Sequence, residues 1–444
     1  MSRAPLLLVA AALTALAPAA VRAADIDSLY DDDFLRRAQS IYAEGIRWNM
    51  ENILWRRMTP DERKALSAVE LDFPLHSPER EPFAFMASGT RVTMSVLSLQ
   101  FFEDLTDAYA WLWANGYTVE TALEYVSMLK HRGAADFGGR LPEPLTAIRV
   151  PKNALADPRV KAMANRIFDS AVIFILLHEL GHIYHKHPGY DAGLPPERVR
   201  ANEAEADAFA LEIMRRIGTL PAGMFFYFET MAYGMKNRGD FDSDAAYDSY
   251  LANALHPVNE SRIRAIAAAL KAAPEDFGQE FDSPAQGRTA VLSIAKQIED
   301  VADFEADRNL QRIIAERARR TTLASLAPRR PGEQLGREPE ARPDSAEPFD
   351  GVYDGAFTVS NRSVDIRVVL RRTGERVVGH YDYGYGPGQI DGVVSGNRLT
   401  FSWQEGQYRG HGELAIEADG AGFAGTWGYD EATTGGGSWT GRRR

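Results

Sequence analysis

Cysteine is absent from the 444-residue chain. Its absence excludes disulfides, thiolate metal ligands, a cysteine nucleophile and a lipidated N-terminal cysteine, so any metal must be held by nitrogen and oxygen. A basic excess is missing too: 50 Lys and Arg stand against 62 Asp and Glu, a formal net charge of -12. A chain of that sign lacks the cationic footprint of a nucleic-acid binder and has no charge-based reason to dock on anionic lipid. Long apolar runs are scarce. After the N-terminal segment no stretch reaches about 18 uninterrupted apolar residues, so no membrane span is expected there.

What is present fits a globular protein. With 45% hydrophobic and 25% charged residues, the chain can build at least one sizeable core, and its length suggests about two to three domains. Residues 1–23 read as a secretory signal. Arg3 gives a positive start, Pro5 to Ala20 is apolar and small, and Val21-Arg22-Ala23 fits a small-residue cleavage site. Loss of Arg3 and Arg22 leaves 48 basic against 62 acidic residues, or -14. A periplasmic or secreted protein is therefore expected.

Residues 24–326 are patterned mostly as helices. Phe101, Leu105, Tyr109 and Leu112 recur at helical spacing, as do Leu123, Val126 and Leu129. Thr90 to Ser95, where Val92 and Met94 alternate with Arg91 and Thr93, reads instead as a short strand. Residues 327–348 form a linker rich in Pro, Arg and Glu with almost no large apolar side chains. Residues 349–444 switch to period two. Val364, Ile366, Val368 and Leu370 alternate with polar residues, and so do Leu399, Phe401 and Trp403. Of 37 glycines, 20 follow Phe349, many at turn positions, so roughly seven or eight strands in a small antiparallel barrel or sandwich are expected. Gly379, Gly412, Gly425 and Gly441 each adjoin an aromatic or apolar strand residue, as a degenerate repeat would. Trp403, Trp427 and Trp439 are read as barrel core; the alternative is a platform for an envelope carbohydrate or peptide.

The chemistry concentrates in His178-Glu179-Leu180-Gly181-His182, at the end of an apolar helical run. Residues four apart in a helix lie one above the other, so His178 and His182 can reach one ion while Glu179 can take a proton from water beside it. Zinc accepts imidazole and carboxylate and tolerates an open position. A second helical run, Asn202 to Leu211, puts Glu203 and Asp207 on one face and carries alanines that permit close packing. Glu203 completes a ligand triad. Asp207 can accept from the free ring nitrogen of a histidine ligand, and Glu205 points elsewhere. His185 and His187 are read as ending the first helix, favourably near its negative pole, and Tyr184 as a packed helix-end residue. His256, before Pro257, is held extended and can aim into a cleft, though taken alone it reads as a surface residue at a helix start.

In this order, the HELGH of 178–182, Glu203 with Asp207, and His256-Pro257 with Arg262, the chain resembles the HtpX and CaaX-prenyl-protease type of gluzincin. The likeness covers about Phe83 to Leu270. It implies a mainly helical, zincin-like peptidase domain with a short edge strand or small sheet, residues 87–95 pairing with an extended peptide. It further implies one zinc ion per chain on His178, His182 and Glu203, with Glu179 as general base, Asp207 behind the ligands, and His256 and Arg262 lining the site. The spanning helices of membrane members are missing, so a lipidated substrate does not carry over. A metzincin would need glycine at 185 and histidine at 188, where this chain has His185 and Pro188.

The expectation is a zinc-dependent endopeptidase acting on envelope or unfolded proteins, with His256, held by Arg262, donating to the tetrahedral oxyanion. The alternatives are a non-catalytic zinc-binding envelope chaperone and a zinc amidase acting on cell-wall peptides.

Overall fold

A computed structural model describes residues 26–77, 82–83, 85–189, 194–252, 254, 256–281, 283–329, 347–359, 362–382, 387–405, 408–429 and 431–444. The expected export signal (1–23) and residues 330–346 of the expected linker lie outside the described residues.

Helix α1 (Asp32–Asn49) runs through a π turn into α2 (Trp55–Arg57), and α3 (Pro60–Ala65) starts from a capping box between Thr59 and Glu62. Strands β1 (Glu70–Asp72), β2 (Phe85–Ser88) and β3 (Arg91–Met94) form one small sheet in the order β1-β3-β2. β1 is parallel and β2 antiparallel to β3, with Phe85 opposite Met94 and Ala87 opposite Val92. The alternation expected at Thr90–Ser95 holds: Val92 and Met94 are buried, Arg91 is exposed. β2 lies at the sheet edge. Then follow α4 (Val96–Ala114), α5 (Glu120–His131), α6 (Pro144–Ala147), α7 (Pro158–Tyr184), α8 (Pro196–Ile217) and α9 (Ala222–Gly234). The helical unit closes with α10 (Asp244–Leu251), α11 (Glu260–Ala272), α12 (Pro284–Ala306) and α13 (Arg308–Arg320). No helix among the described residues is long and apolar enough to cross a membrane.

α7 is central. Asp157 caps it by accepting from the Arg159 N–H at 2.9 Å, and Pro158 occupies the first turn, where its missing donor costs nothing. Its 27 residues span about 40 Å. From Phe174 to Gly181 every side is buried, because α4, α8 and α9 all pack against it. Small residues set those approaches. A Cβ on Gly181 would lie 2.9 Å from Ala206 Cα, 3.0 Å from its carbonyl oxygen and 3.2 Å from Phe209 Cβ, so α7 and α8 meet nearly backbone to backbone. At the other face Ser170 Oγ accepts from the Gly223 N–H of α9 at 2.7 Å.

The C-terminal unit is a closed, eight-stranded antiparallel barrel rather than a sandwich. It comprises β4 (Gly351–Val359), β5 (Arg362–Thr373), β6 (Arg376–Asp382), β7 (Pro387–Ser395), β8 (Arg398–Glu405), β9 (Tyr408–Ile416), β10 (Gly422–Tyr429) and β11 (Gly437–Arg443), with β11 pairing back onto β4. Ile366, Val368 and Leu370 point inward, as do Leu399, Phe401 and Trp403. Trp403, Trp427 and Trp439 are core residues, with Trp403 Nε1 donating to the Gly428 carbonyl at 3.1 Å. The glycine pattern has a packing cause at Gly412 and Gly441, whose missing side chains leave room for the rings of Phe401 and Phe423.

Candidate metal centre

His178, Glu179 and His182 sit in the last two turns of α7, and Glu203 faces them from α8. The Nε2 atoms of the two histidines are 3.1 Å apart. Glu203 Oε2 lies 3.4 Å from His178 Nε2, and its Oε1 3.4 Å from His182 Nε2. His256, on the loop leading into α11, joins them: its Nδ1 is 3.4 Å from His178 Nε2 and 3.3 Å from Glu203 Oε2. These four residues are the one group of potential ligands that converges on a point among the described residues.

The spacing tests whether a cation fits. Four donors bound tetrahedrally at about 2.0–2.1 Å are separated by roughly 3.3–3.4 Å along each edge. The five distances above run from 3.1 to 3.4 Å, with Glu203 reached through Oε2 from His178 and His256 and through Oε1 from His182, and the ligand atoms of all four residues lie within 4.8 Å of one another. Glu179 Oε2 is buried without a hydrogen-bond partner, an arrangement that a reacting group at the centre would relieve. The donors are imidazole and carboxylate, the set zinc prefers in a cysteine-free protein. The residues fit the ion.

The surrounding charges are arranged around these ligands. Asp207 Oδ1 lies 2.8 Å from His178 Nδ1, behind the metal-facing edge of the ring. Arg262 grips Asp207 through two bonds of 2.8 Å and reaches Glu203 Oε2 at 2.8 Å. It therefore braces Glu203 and Asp207 of α8, whereas the expected role was to hold His256. His256 is held instead by the Phe85 carbonyl, 2.9 Å from Nε2, with Glu179 Oε1 at 3.2 Å. Burial alone would raise the Glu203 carboxyl, but Arg262, His256 and His178 outweigh it and keep the group well below the usual range. Asp207 is lowered against burial by Arg262 and His178. Burial, then His178, pushes His182 down to about 3, leaving its imidazole neutral. For His256 burial acts downward, yet Glu179 and Glu203 lift it to about 10.

Two residues that sequence reasoning set aside join the site. His187 folds back so that its Nδ1 is 2.9 Å from His182 Nδ1, while its Nε2 is 3.0 Å from Glu205 Oε2. The available signal was the crowding of three of the chain's nine histidines into positions 182, 185 and 187. His185 is exposed at the helix end and stacks on His187, and Tyr184 packs on Phe209. Beside the ligands opens a cleft of about 290 Å³, lined by His182, Ile183, Lys186, Glu203 and, from the edge strand and its turn, Ala87 and Gly89.

Residues 114–222 match the model of the Peptidase U49 family. The matched segment contains α7 and the Glu203–Asp207 turn of α8; His256 and Arg262 lie beyond it. It supports a peptidase family without singling out the HtpX and CaaX-protease type. Neither curated proteins nor solved structures give a match to the chain.

Proposed function

We propose that the protein is a zinc-dependent endopeptidase that cleaves extended segments of envelope or unfolded proteins. The observation that carries this reading is the convergence of His178, His182 and Glu203 at 3.1–3.4 Å from one another, with Glu179 beside them, its Oε2 buried without a hydrogen-bond partner. A zinc ion on the three ligands supplies polarisation of the scissile carbonyl and an acidified water at neutral pH. Glu179, whose carboxyl is held low against burial chiefly by His256, accepts the proton of the attacking water and returns it to the leaving amine. His256 directs an N–H toward the developing oxyanion, an interaction worth about 3 kcal/mol. Asp207 and Arg262 keep His178 and Glu203 in place. The free edge of β2, with Ala87 and Gly89 on the cleft, offers an extended substrate main-chain pairing. Export by residues 1–23 and a periplasmic or secreted location complete the proposal.

The test is hydrolysis of unfolded casein by wild-type protein, by chelated protein and by Glu179→Gln. We expect zinc at one per chain in wild type and Glu179→Gln, with cleavage lost on chelation and lower by about 10²–10⁴ in the variant. Cleavage by Glu179→Gln at the wild-type rate refutes the assignment. A second reading has one observation in its favour: with His256 in the cluster, four potential protein donors are gathered, the number a closed structural zinc centre uses. Stoichiometric zinc in the wild type with no cleavage of casein supports that binding-protein reading.

A further inference from the structure

We infer that His187 and Glu205 form a positioning relay for the ligand His182, matching what Asp207 does for His178. The inference rests on the zinc reading above. Both ligand histidines face the centre with Nε2, so each must carry its ring proton on Nδ1 to leave a lone pair for the ion. That proton needs an acceptor. His178 has Asp207 at 2.8 Å. At His182 Nδ1 the described residues place a second imidazole, His187 Nδ1 at 2.9 Å.

A single hydrogen lies between two nitrogens at that distance, and the far side of His187 decides whose it is. His187 Nε2 lies 3.0 Å from the Glu205 carboxylate, which only accepts. Nε2 therefore carries the His187 proton, its Nδ1 is a lone pair, and the shared hydrogen belongs to His182. Reversing the order would set a lone pair against a carboxylate. Glu205 thus fixes the tautomer of His187, and His187 fixes that of His182.

The backbone is bent to make this contact. Lys186 adopts a left-handed conformation at φ 57°, which side chains disfavour, and this lets the His187 N–H bond the His182 carbonyl at 2.9 Å. The same turn brings the His187 ring, only 2% exposed, under His182.

Zinc dissociation constants for the full chain, measured by competition with a chromogenic chelator, test the relay. His187→Leu keeps bulk but removes the acceptor, and its affinity should fall by about 10–100-fold. His187→Asn restores an oxygen acceptor near the place of Nδ1 and should recover most of that loss. Glu205→Ala alters a half-exposed side chain (41%), so it folds whatever the fate of the other variants; its affinity should fall in the same direction. Wild-type affinity in Glu205→Ala and in a folded His187→Leu overturns the relay, as does an Asn variant no better than Leu. A wild-type protein that binds no zinc overturns the metal reading and the relay with it, whereas binding unaffected by the variants overturns the relay alone.

Discussion

Gly181 offers a way to separate stability from function. Replacing it by alanine places a Cβ 2.9 Å from Ala206 Cα, about 0.5 Å inside the 3.4 Å at which ordinary contact begins. The nearest atoms are backbone, which cannot swing aside, so α7 and α8 must part by about that amount. The helix gains about 1 kcal/mol from losing an interior glycine, against an overpacking cost of about 1–3 kcal/mol. Net destabilisation should be small, roughly 0–2 kcal/mol. The ligands are less forgiving. Glu203 leads the turn that Ala206 belongs to, and about half an ångström is the tolerance of a preorganised site. Zinc affinity and kcat/KM should each fall by about 10–100-fold. Gly45→Ala is the control: nothing lies within 4 Å of its added Cβ at this exposed position of α1, and it should stabilise by about 0.5–1 kcal/mol with zinc binding unchanged. Urea unfolding and zinc competition give both quantities. Wild-type zinc affinity in Gly181→Ala, with the protein folded, would show that the helix contact does not set the ligand spacing.

Two further outcomes follow from the charges. Arg262→Met should leave Glu203 and Asp207 buried without their cation and cost about 3–5 kcal/mol in metal-free protein; an unchanged urea midpoint refutes the bracing role. In metal-free protein His256 is lifted from 6.5 to about 10, so protonation stabilises the fold. That stabilisation is complete below pH 6.5 and is lost as pH rises toward 10. Urea midpoints should fall across this window, and His256→Gln should remove that part of the slope; an equal slope in the variant rules His256 out as its source.

The parts of the site readable in advance are those whose geometry follows from helical periodicity. His178 and His182 share a face because they are four apart, and so do Glu203 and Asp207. The barrel's alternation was equally local, since inward and outward positions differ by one residue. What escaped depends on the chain leaving a regular element. His187 reaches His182 only through the left-handed turn at Lys186, and a lysine gives no hint of that conformation. Arg262 was placed in the site, but its choice of Asp207 and Glu203 over His256 depends on how α11 crosses α8, a tertiary fact that spacing does not encode.

The two units treat their main chains differently. A ring of strands has no first or last member: each barrel strand has a neighbour on both sides. An extended chain therefore finds no row of vacant peptide groups to zip onto, and whatever meets this unit must be recognised by loops and outward side chains. In the helical unit β2 has β3 on one flank and, among the described residues, no strand on the other. If the proposed substrate pairs there, it would be read through its amides, a mode suited to partners that share a conformation rather than a motif.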